Sequence, residues 1–281
     1  MQNLPKYLSD AGLTHTSASQ LEKPIDIRMY EYLFLGPERR NIPVGIPAVA
    51  GTVVHEAVQN YICHGHNVDD LICIAQDKVQ QHIPVDEIDT LKTEQYLHDV
   101  ELMIGVGKRA ADEVLCDLGY FQEHPISINN EHLDMPIIGY IDLMSEDSVV
   151  EIKTKWNRLN PPRKNGSRGF GQVKLPYTPE LSHIRQVSVY NKATGKPPVL
   201  LYLTTEDYRV FDQNNCDMLT PKALEHYFQQ MLHSAVVWQN LLKISTDPNV
   251  LKLYIQPDWD NFRWRFMPKQ FLQQAKDLYR L

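Results

Sequence analysis

The sequence predicts an α/β protein: a sheet of about five strands, helices beside it, and an added helical layer. Three observations carry this. An apolar, β-branched pair of segments, Pro136 to Met144 and Val149 to Thr154, flanks the polar turn Ser145-Glu146-Asp147-Ser148 and reads as a hairpin. Two more short apolar segments, Pro198 to Thr204 and Tyr208 to Phe211, read as strands further on. Long segments of helical period stand before, between and after these strands.

In chain order, residues 1–50 are mixed, with helix-capping residues at Thr14 to Ser19 and an aromatic-rich apolar stretch, Met29 to Gly36. Arg39, Arg40 and three prolines between Pro37 and Pro47 predict a loop. From Ala48 to Ile62, Val54, Val58, Tyr61 and Ile62 mark one buried helical face, with His55 and Gln59 one turn apart on its flank. Residues 64–120 are predicted to be a mostly helical elaboration, with a long helix from Leu91 to Leu118 weakened at Gly105 and Gly107. His64-Gly65-His66 reads as a loop rather than a zinc pair. Ser127 to Leu133 reads as a strand leading into the hairpin.

After the hairpin the composition changes. Lys155, Arg158, Arg163, Lys164 and Arg168 follow with no acidic residue up to Lys174, among glycines and prolines that predict a flexible loop over 155–175. Trp156 and Phe170 are read as aromatic surface there. Basic charge with interleaved aromatics suits a nucleic-acid groove, through phosphate contact and base stacking, as well as a plain solvated loop. Glu180 to Ala193 is helical, with Gln186 and Tyr190 on one face and Ile184 and Val187 toward the core. Pro221 to Ile244 is a long amphipathic helix, PDWDNFRWRF alternates, and Pro268 to Leu281 closes with a helix. Neither an internal repeat nor a linker divides the 281 residues, so one domain is expected.

Composition excludes some classes. At 43% hydrophobic and 22% charged the chain is not disordered, and a net charge of −7 argues against a generally basic nucleic-acid coat but not a local basic groove. No apolar run nears a bilayer span and MQNLPKYLSDAG lacks a signal pattern, which together read as a soluble cytoplasmic protein. Cys63, Cys73, Cys116 and Cys216 form no C-x-x-C pair and read as free thiols, mostly buried.

The chemistry gathers at the hairpin. Side chains alternate along a strand, so Glu151 and Lys153 share a face, and a symmetric hairpin sets Asp142 against Glu151. Two carboxylates with Cβ atoms about 5 Å apart repel unless a cation lies between them. Alone, Asp142 also reads as an edge charge and Glu151–Lys153 as a surface pair.

Four short motifs in order give more. Gly51-Thr-Val-Val-His55, Gly139-Tyr-Ile-Asp142, Glu151-Ile-Lys153 and Gln186-Val-Ser-Val-Tyr190 together resemble the PD-(D/E)xK nuclease superfamily, on its RecB-like exonuclease branch. The resemblance spans about 48–193. It implies a restriction-endonuclease-like core: a mixed central sheet flanked by helices. It implies a metal-dependent DNA exonuclease of recombination, repair or replication. Asp142 and Glu151, with the Ile152 carbonyl and His55, would hold Mg²⁺ or Mn²⁺. Lys153 would orient water or stabilise charge, and Gln186 and Tyr190 would position Lys153, the phosphate or a base. DNA, single-stranded or as duplex ends, is the expected partner, through Lys155, Trp156, Arg158, Arg163, Lys164 and Arg168. Iron–sulfur members carry one cysteine before the histidine helix and three near the C-terminus. Here none precedes His55 and none follows Cys216, so no cluster is expected. No oligomerisation signal stands out, so a monomer is expected. The alternatives are a catalytically inactive nucleic-acid-binding protein on a nuclease fold, and a purely structural metal site, which leaves Lys153 without a reason to sit beside a cation.

Overall fold

The computed structural model describes residues 4–115 and 119–280. Its strands are β1 (Thr16–Ser17), β2 (Phe121–Ile128), β3 (Ile137–Met144), β4 (Val149–Thr154), β5 (Arg158–Leu159), β6 (Phe170–Gly171), β7 (Pro198–Leu203) and β8 (Tyr208–Phe211). The chain forms two compact units, Val44–Pro125 with Tyr140–Leu224, and Met1–Pro43 with Ile126–Gly139 and Glu225–Leu281.

The first of these holds the hairpin. β4 is its central strand, antiparallel to β3 (Leu143↔Val150, Met144↔Val149) and parallel to β7 from Val149↔Pro198 to Thr154↔Leu203. β8 then returns antiparallel to β7. The sheet is therefore mixed, as expected. A parallel pair needs a crossover, and the chain between β4 and β7 supplies one in the helix Leu181–Thr194.

Alternation along β4 divides its side chains between two faces. Val150 and Ile152 join Leu143, Leu201 and Leu203 under three helices, Ile46–His64, Val68–Gln80 and Glu87–Ala110, in one apolar core. Glu151 and Lys153 face the other way, toward Leu181–Thr194, whose Ile184 and Val187 are fully buried. Two of the three, Val68–Gln80 and Glu87–Ala110, form the helical elaboration that the sequence predicts over 64–120.

Several boundaries depart from the sequence reading. The Glu87–Ala110 helix runs unbroken through Gly105 and Gly107. At Gly107 a Cβ would lie 2.4 Å from Val58 Cγ2, so this glycine serves helix-to-helix approach rather than a break. The expected end at Leu118 lies outside the described residues. The strand expected over Ser127 to Leu133 is instead β2, ending at Ile128. Past it, Asn130 turns the chain, accepting the His132 N–H at 3.0 Å. The loop expected over 37–47 is a 3₁₀ helix, Gly36–Asn41, followed by the start of Ile46–His64. Pro47 fits in that first turn because its missing N–H is not needed there.

The other unit is aromatic. The Met29–Phe34 stretch forms a π-helical turn, and the buried Tyr30 hydroxyl donates to the Phe271 carbonyl at 2.7 Å. PDWDNFRWRF contains a short helix, Phe262–Arg265, not a strand, because buried Trp264 is anchored by its indole N–H on Asp26 Oδ2 at 2.7 Å. β1 runs parallel to the start of β3 at Thr16↔Ile137. Phe228, Met231, Leu232, Ala235 and Leu242 of the Pro221–Ile244 helix are buried, as their spacing predicts.

The cysteines are less buried than expected: Cys73 is exposed and Cys63 and Cys216 are half-buried, all three free. Cys116 lies outside the described residues. No described helix is long and apolar enough to cross a membrane.

Candidate active site

The register of the hairpin, carried one step past Leu143↔Val150, sets Asp142 against Glu151. The two carboxylates do not simply face each other. Asp142 Oδ2 accepts the Ile152 backbone N–H at 2.7 Å, a bond that a strand carbonyl would otherwise make. β3 is held on both sides at this point by helix side chains. Gln59 Nε2 donates to the Asp142 carbonyl at 2.9 Å, and the Tyr190 hydroxyl donates to the Tyr140 carbonyl at 2.9 Å.

His55 arrives from one turn before Gln59. Its Nδ1 stands 3.7 Å from Asp142 Oδ2. Gly51, one further turn back, lets the helix meet β4 closely, since a Cβ there would lie 3.2 Å from Thr154 Oγ1. Burial lowers the His55 pKa to about 4, with Glu151 opposing and Lys153 assisting. The imidazole is therefore neutral at physiological pH, the form that ligates metals.

Glu151 is the buried centre, 4% exposed. Its Oε1 accepts from Lys153 Nζ at 2.5 Å and from Gln186 Nε2 at 2.8 Å. Its Oε2 is buried with no hydrogen-bond partner among the described residues. Burial, and then the Asp142 charge, push its pKa up to about 7, against Lys153 and His55.

Gln186 joins the group. Its Oε1 accepts from Lys153 at 2.9 Å, and its Nε2 donates to both Glu151 and the Tyr190 hydroxyl, the latter at 2.6 Å. A flipped amide would turn oxygen toward Glu151 and nitrogen toward Lys153, losing both bonds. Tyr190 is buried, and burial with the Glu151 charge raises its pKa, so it stays a neutral donor.

The structure thus brings His55, Asp142, Glu151, Lys153, Gln186 and Tyr190 into one group. Ile152, whose carbonyl is the expected fourth ligand, lies between Glu151 and Lys153 on β4. Among the described residues no three His, Cys, Asp and Glu side chains stand as a ready-made ion cage. The donor set is nonetheless of the right kind for a divalent cation: two carboxylates, one of them with an orphaned buried oxygen, and a neutral imidazole. Glu56 lies elsewhere, paired with Lys78.

The basic segment is not a loose loop. β5 and β6 pair as a small hairpin, Arg158↔Gly171 and Leu159↔Phe170. Trp156 stacks on Tyr96, centroids 4.5 Å apart, and both Trp156 and Phe170 pack against the apolar core. Both rings are half-buried, so part of the expected aromatic surface is given over to core contact. Arg158, Arg163, Lys164 and Arg168 are exposed, whereas Lys155 is paired with Glu180.

The sequence reading left three residues of this neighbourhood without a role: Gln59, Glu180 and His183. Gln59 had a signal, one helical turn from His55 on the same flank. Glu180 and His183 gave none, because their partners come from β7 and the chain just beyond β4.

No family model matches this chain, and no curated protein matches it. Among solved structures, it is similar to a candidate exonuclease from Eubacterium rectale. That likeness is 13% identical, covers 85% of this chain and 86% of the other, and has a TM-score of 0.43. It is also similar to the protein SSO0001, 16% identical, over 65% of this chain and 84% of that one, with a TM-score of 0.28.

Proposed function

We propose that this chain is a divalent-metal-dependent nuclease of the PD-(D/E)xK type, acting on DNA and most simply as an exonuclease in recombination, repair or replication. The observation that carries the reading is the environment of Glu151. A buried carboxylate keeps one oxygen unpartnered, beside a second carboxylate and a neutral imidazole, with a lysine locked to its other oxygen. A stability role alone does not account for this, since an unpaired buried carboxylate oxygen is costly.

When bound by Asp142, Glu151, the Ile152 carbonyl and His55, Mg²⁺ or Mn²⁺ supplies Lewis acidity toward a water and a phosphate oxygen. The other groups orient and hold protons. An ammonium has three donors, and Lys153 commits two, to Glu151 Oε1 and Gln186 Oε1. The third is available for a phosphate oxygen or the attacking water. Gln186 fixes the direction of that donor. Tyr190, tied to the Tyr140 carbonyl, fixes Gln186. Gln59 and the Asp142–Ile152 bond hold the β3 carboxylate at the end of the paired segment.

End-labelled single-stranded and duplex DNA with Mg²⁺, Mn²⁺ or EDTA tests the reading. Cleavage that needs metal and is lost in Lys153→Ala and Glu151→Ala is the expected result, and the product ladder gives polarity. No cleavage of either substrate by the wild type, alongside tight DNA binding, overturns it in favour of a binding protein on this fold.

A further inference from the structure

Strand alternation extends the catalytic face by one residue. Glu151, Lys153 and Lys155 follow at i, i+2 and i+4; β4 ends at Thr154, but the Lys155 N–H still donates to the Leu203 carbonyl at 2.8 Å, so the extended path carries Lys155 about 6.6 Å beyond Lys153. That is about one step between neighbouring phosphates on an extended nucleic-acid strand. Lys155 lines a cavity of about 480 Å³ together with Trp156, Arg158, Lys174 and Glu180.

Three cations therefore converge on one cavity beside the reaction centre. The Trp156 indole N–H is buried and has no acceptor among the described residues. One anion is already present. The Glu180 carboxylate pairs with Lys155 through one oxygen, and its other oxygen lies 3.7 Å from His183 Nε2.

The hydrogen-bond chain assigns the His183 tautomer. The Tyr202 hydroxyl accepts the Glu180 backbone N–H at 3.1 Å and stands 2.6 Å from His183 Nδ1, while Nε2 faces the Glu180 carboxylate, which can only accept. His183 Nδ1 is then an acceptor and Nε2 carries the hydrogen, directed at the Glu180 carboxylate. Burial, with Lys153 and Lys155 nearby, keeps this ring neutral. It is a fixed neutral donor beside a fixed cation.

We infer that the cavity lined by Lys155, Arg158 and Glu180, with His183 beside Glu180, is a second phosphate subsite, one nucleotide from the scissile bond, and that Glu180 occupies it as an internal anion which substrate phosphate displaces. This rests on the nuclease reading for its neighbour site, but the anion chemistry stands on Lys155, His183 and Arg158. Glu180 can leave at modest cost because its side chain is 49% exposed and an exposed ion pair contributes little. The ligand is a phosphate group, either an internal phosphodiester or the phosphomonoester of a strand end.

The test is DNA binding in EDTA across a salt series, with Glu180→Gln, Lys155→Ala and His183→Gln, using oligonucleotides with and without a 5′-phosphate. Removing the competing anion in E180Q is expected to tighten binding by about two- to fivefold, the worth of an exposed pair. K155A is expected to weaken binding and reduce the salt slope by about one ion. H183Q is expected to weaken binding with the slope unchanged. A 5′-phosphate dependence confined to variants of this cavity assigns the strand end as the source, and equal effects on both oligonucleotides assign the internal phosphodiester. Unchanged affinity and slope in E180Q and K155A, with a lowered Tm in either, overturn the subsite and leave the pair structural. Binding shifts without any wild-type cleavage in Mg²⁺ or Mn²⁺ keep the subsite and sink the nuclease reading instead.

Discussion

Asp142 Oδ2 accepts the backbone N–H of Ile152 at 2.7 Å. A side chain on β3 thereby replaces a rung of the ladder between β3 and β4, at the point where the two carboxylates meet. The charge of Asp142 is partly satisfied by this amide, while that of Glu151 is met by Lys153. The consequences are measurable.

Gln186 is the hinge of the network, accepting from Lys153 and donating to Glu151 and Tyr190. Gln186→Ala is expected to lower kcat by about 10- to 100-fold, the usual cost of losing a group that orients a site residue, with DNA affinity in EDTA nearly unchanged. Gln186→Glu, which keeps an acceptor for Lys153 but adds a charge beside Glu151, is expected to be no better. A variant with raised KM and intact kcat would place Gln186 on the substrate instead.

Glu151 imposes a pH dependence on the metal-free protein. Its folded pKa is raised from 4.5 to about 7, chiefly by burial and then by Asp142. Between those values the unfolded chain holds fewer protons than the folded one, so stability falls as pH rises through the window and the loss is complete above about 7. Glu151→Gln is expected to flatten this limb in a Tm–pH series. Mn²⁺ is expected to raise the Tm of the wild type more at pH 8 than at pH 5.5, because the ligand must be ionised. Equal increments at both pH values count against Glu151 as a ligand.

His55 and His183 act with the opposite sign. Burial lowers His55 to about 4 and His183 to about 3, from 6.5. Below 6.5 the unfolded chain takes up protons that the folded chain refuses, so stability falls as pH drops toward those values. His183→Gln is expected to remove its share of the acid limb; an unchanged limb shows that this ring is accessible to protons in the native state.

Two glycines in one helix make a matched pair. A Cβ at Gly105 meets nothing within 4 Å, so Gly105→Ala is expected to stabilise the fold by about 0.5–1 kcal/mol. At Gly107 the same methyl would lie 2.4 Å from Val58 Cγ2, and Gly107→Ala is expected to destabilise by about 1–3 kcal/mol. Urea unfolding of both variants checks the sign difference, and the same sign in both would mean the helix contact is looser than described.

Arg158, Arg163, Lys164 and Arg168 are exposed on the β5–β6 hairpin and its tip. Neutralising all four is expected to weaken single-stranded DNA binding and lower its salt slope by roughly 3, at about 0.7 per lost contact. An unchanged slope removes the hairpin from the groove. Trp156→Ala is expected to behave differently, costing about 2 kcal/mol of stability, because its half-buried ring stacks on Tyr96.

The sequence by itself determined the elements and the order of the chemistry. Strand period fixed β4 at Val149–Thr154 and with it the shared face of Glu151 and Lys153, and helical period put Gln186 beside Tyr190 and His55 beside Gln59. These are local consequences of backbone geometry, so one sequence carries them. The tertiary structure decided what depends on groups far apart in the chain. Only the packed fold turned Gly107 from a break into a contact, committed Trp156 to Tyr96 rather than to solvent, tied Asp142 to the Ile152 amide, and brought Glu180 and His183 against Lys155 and Tyr202. A side chain's choice among partners depends on what the rest of the chain places within reach, and on the cost of leaving a buried polar group unpaired. Neither is encoded in spacing along the sequence.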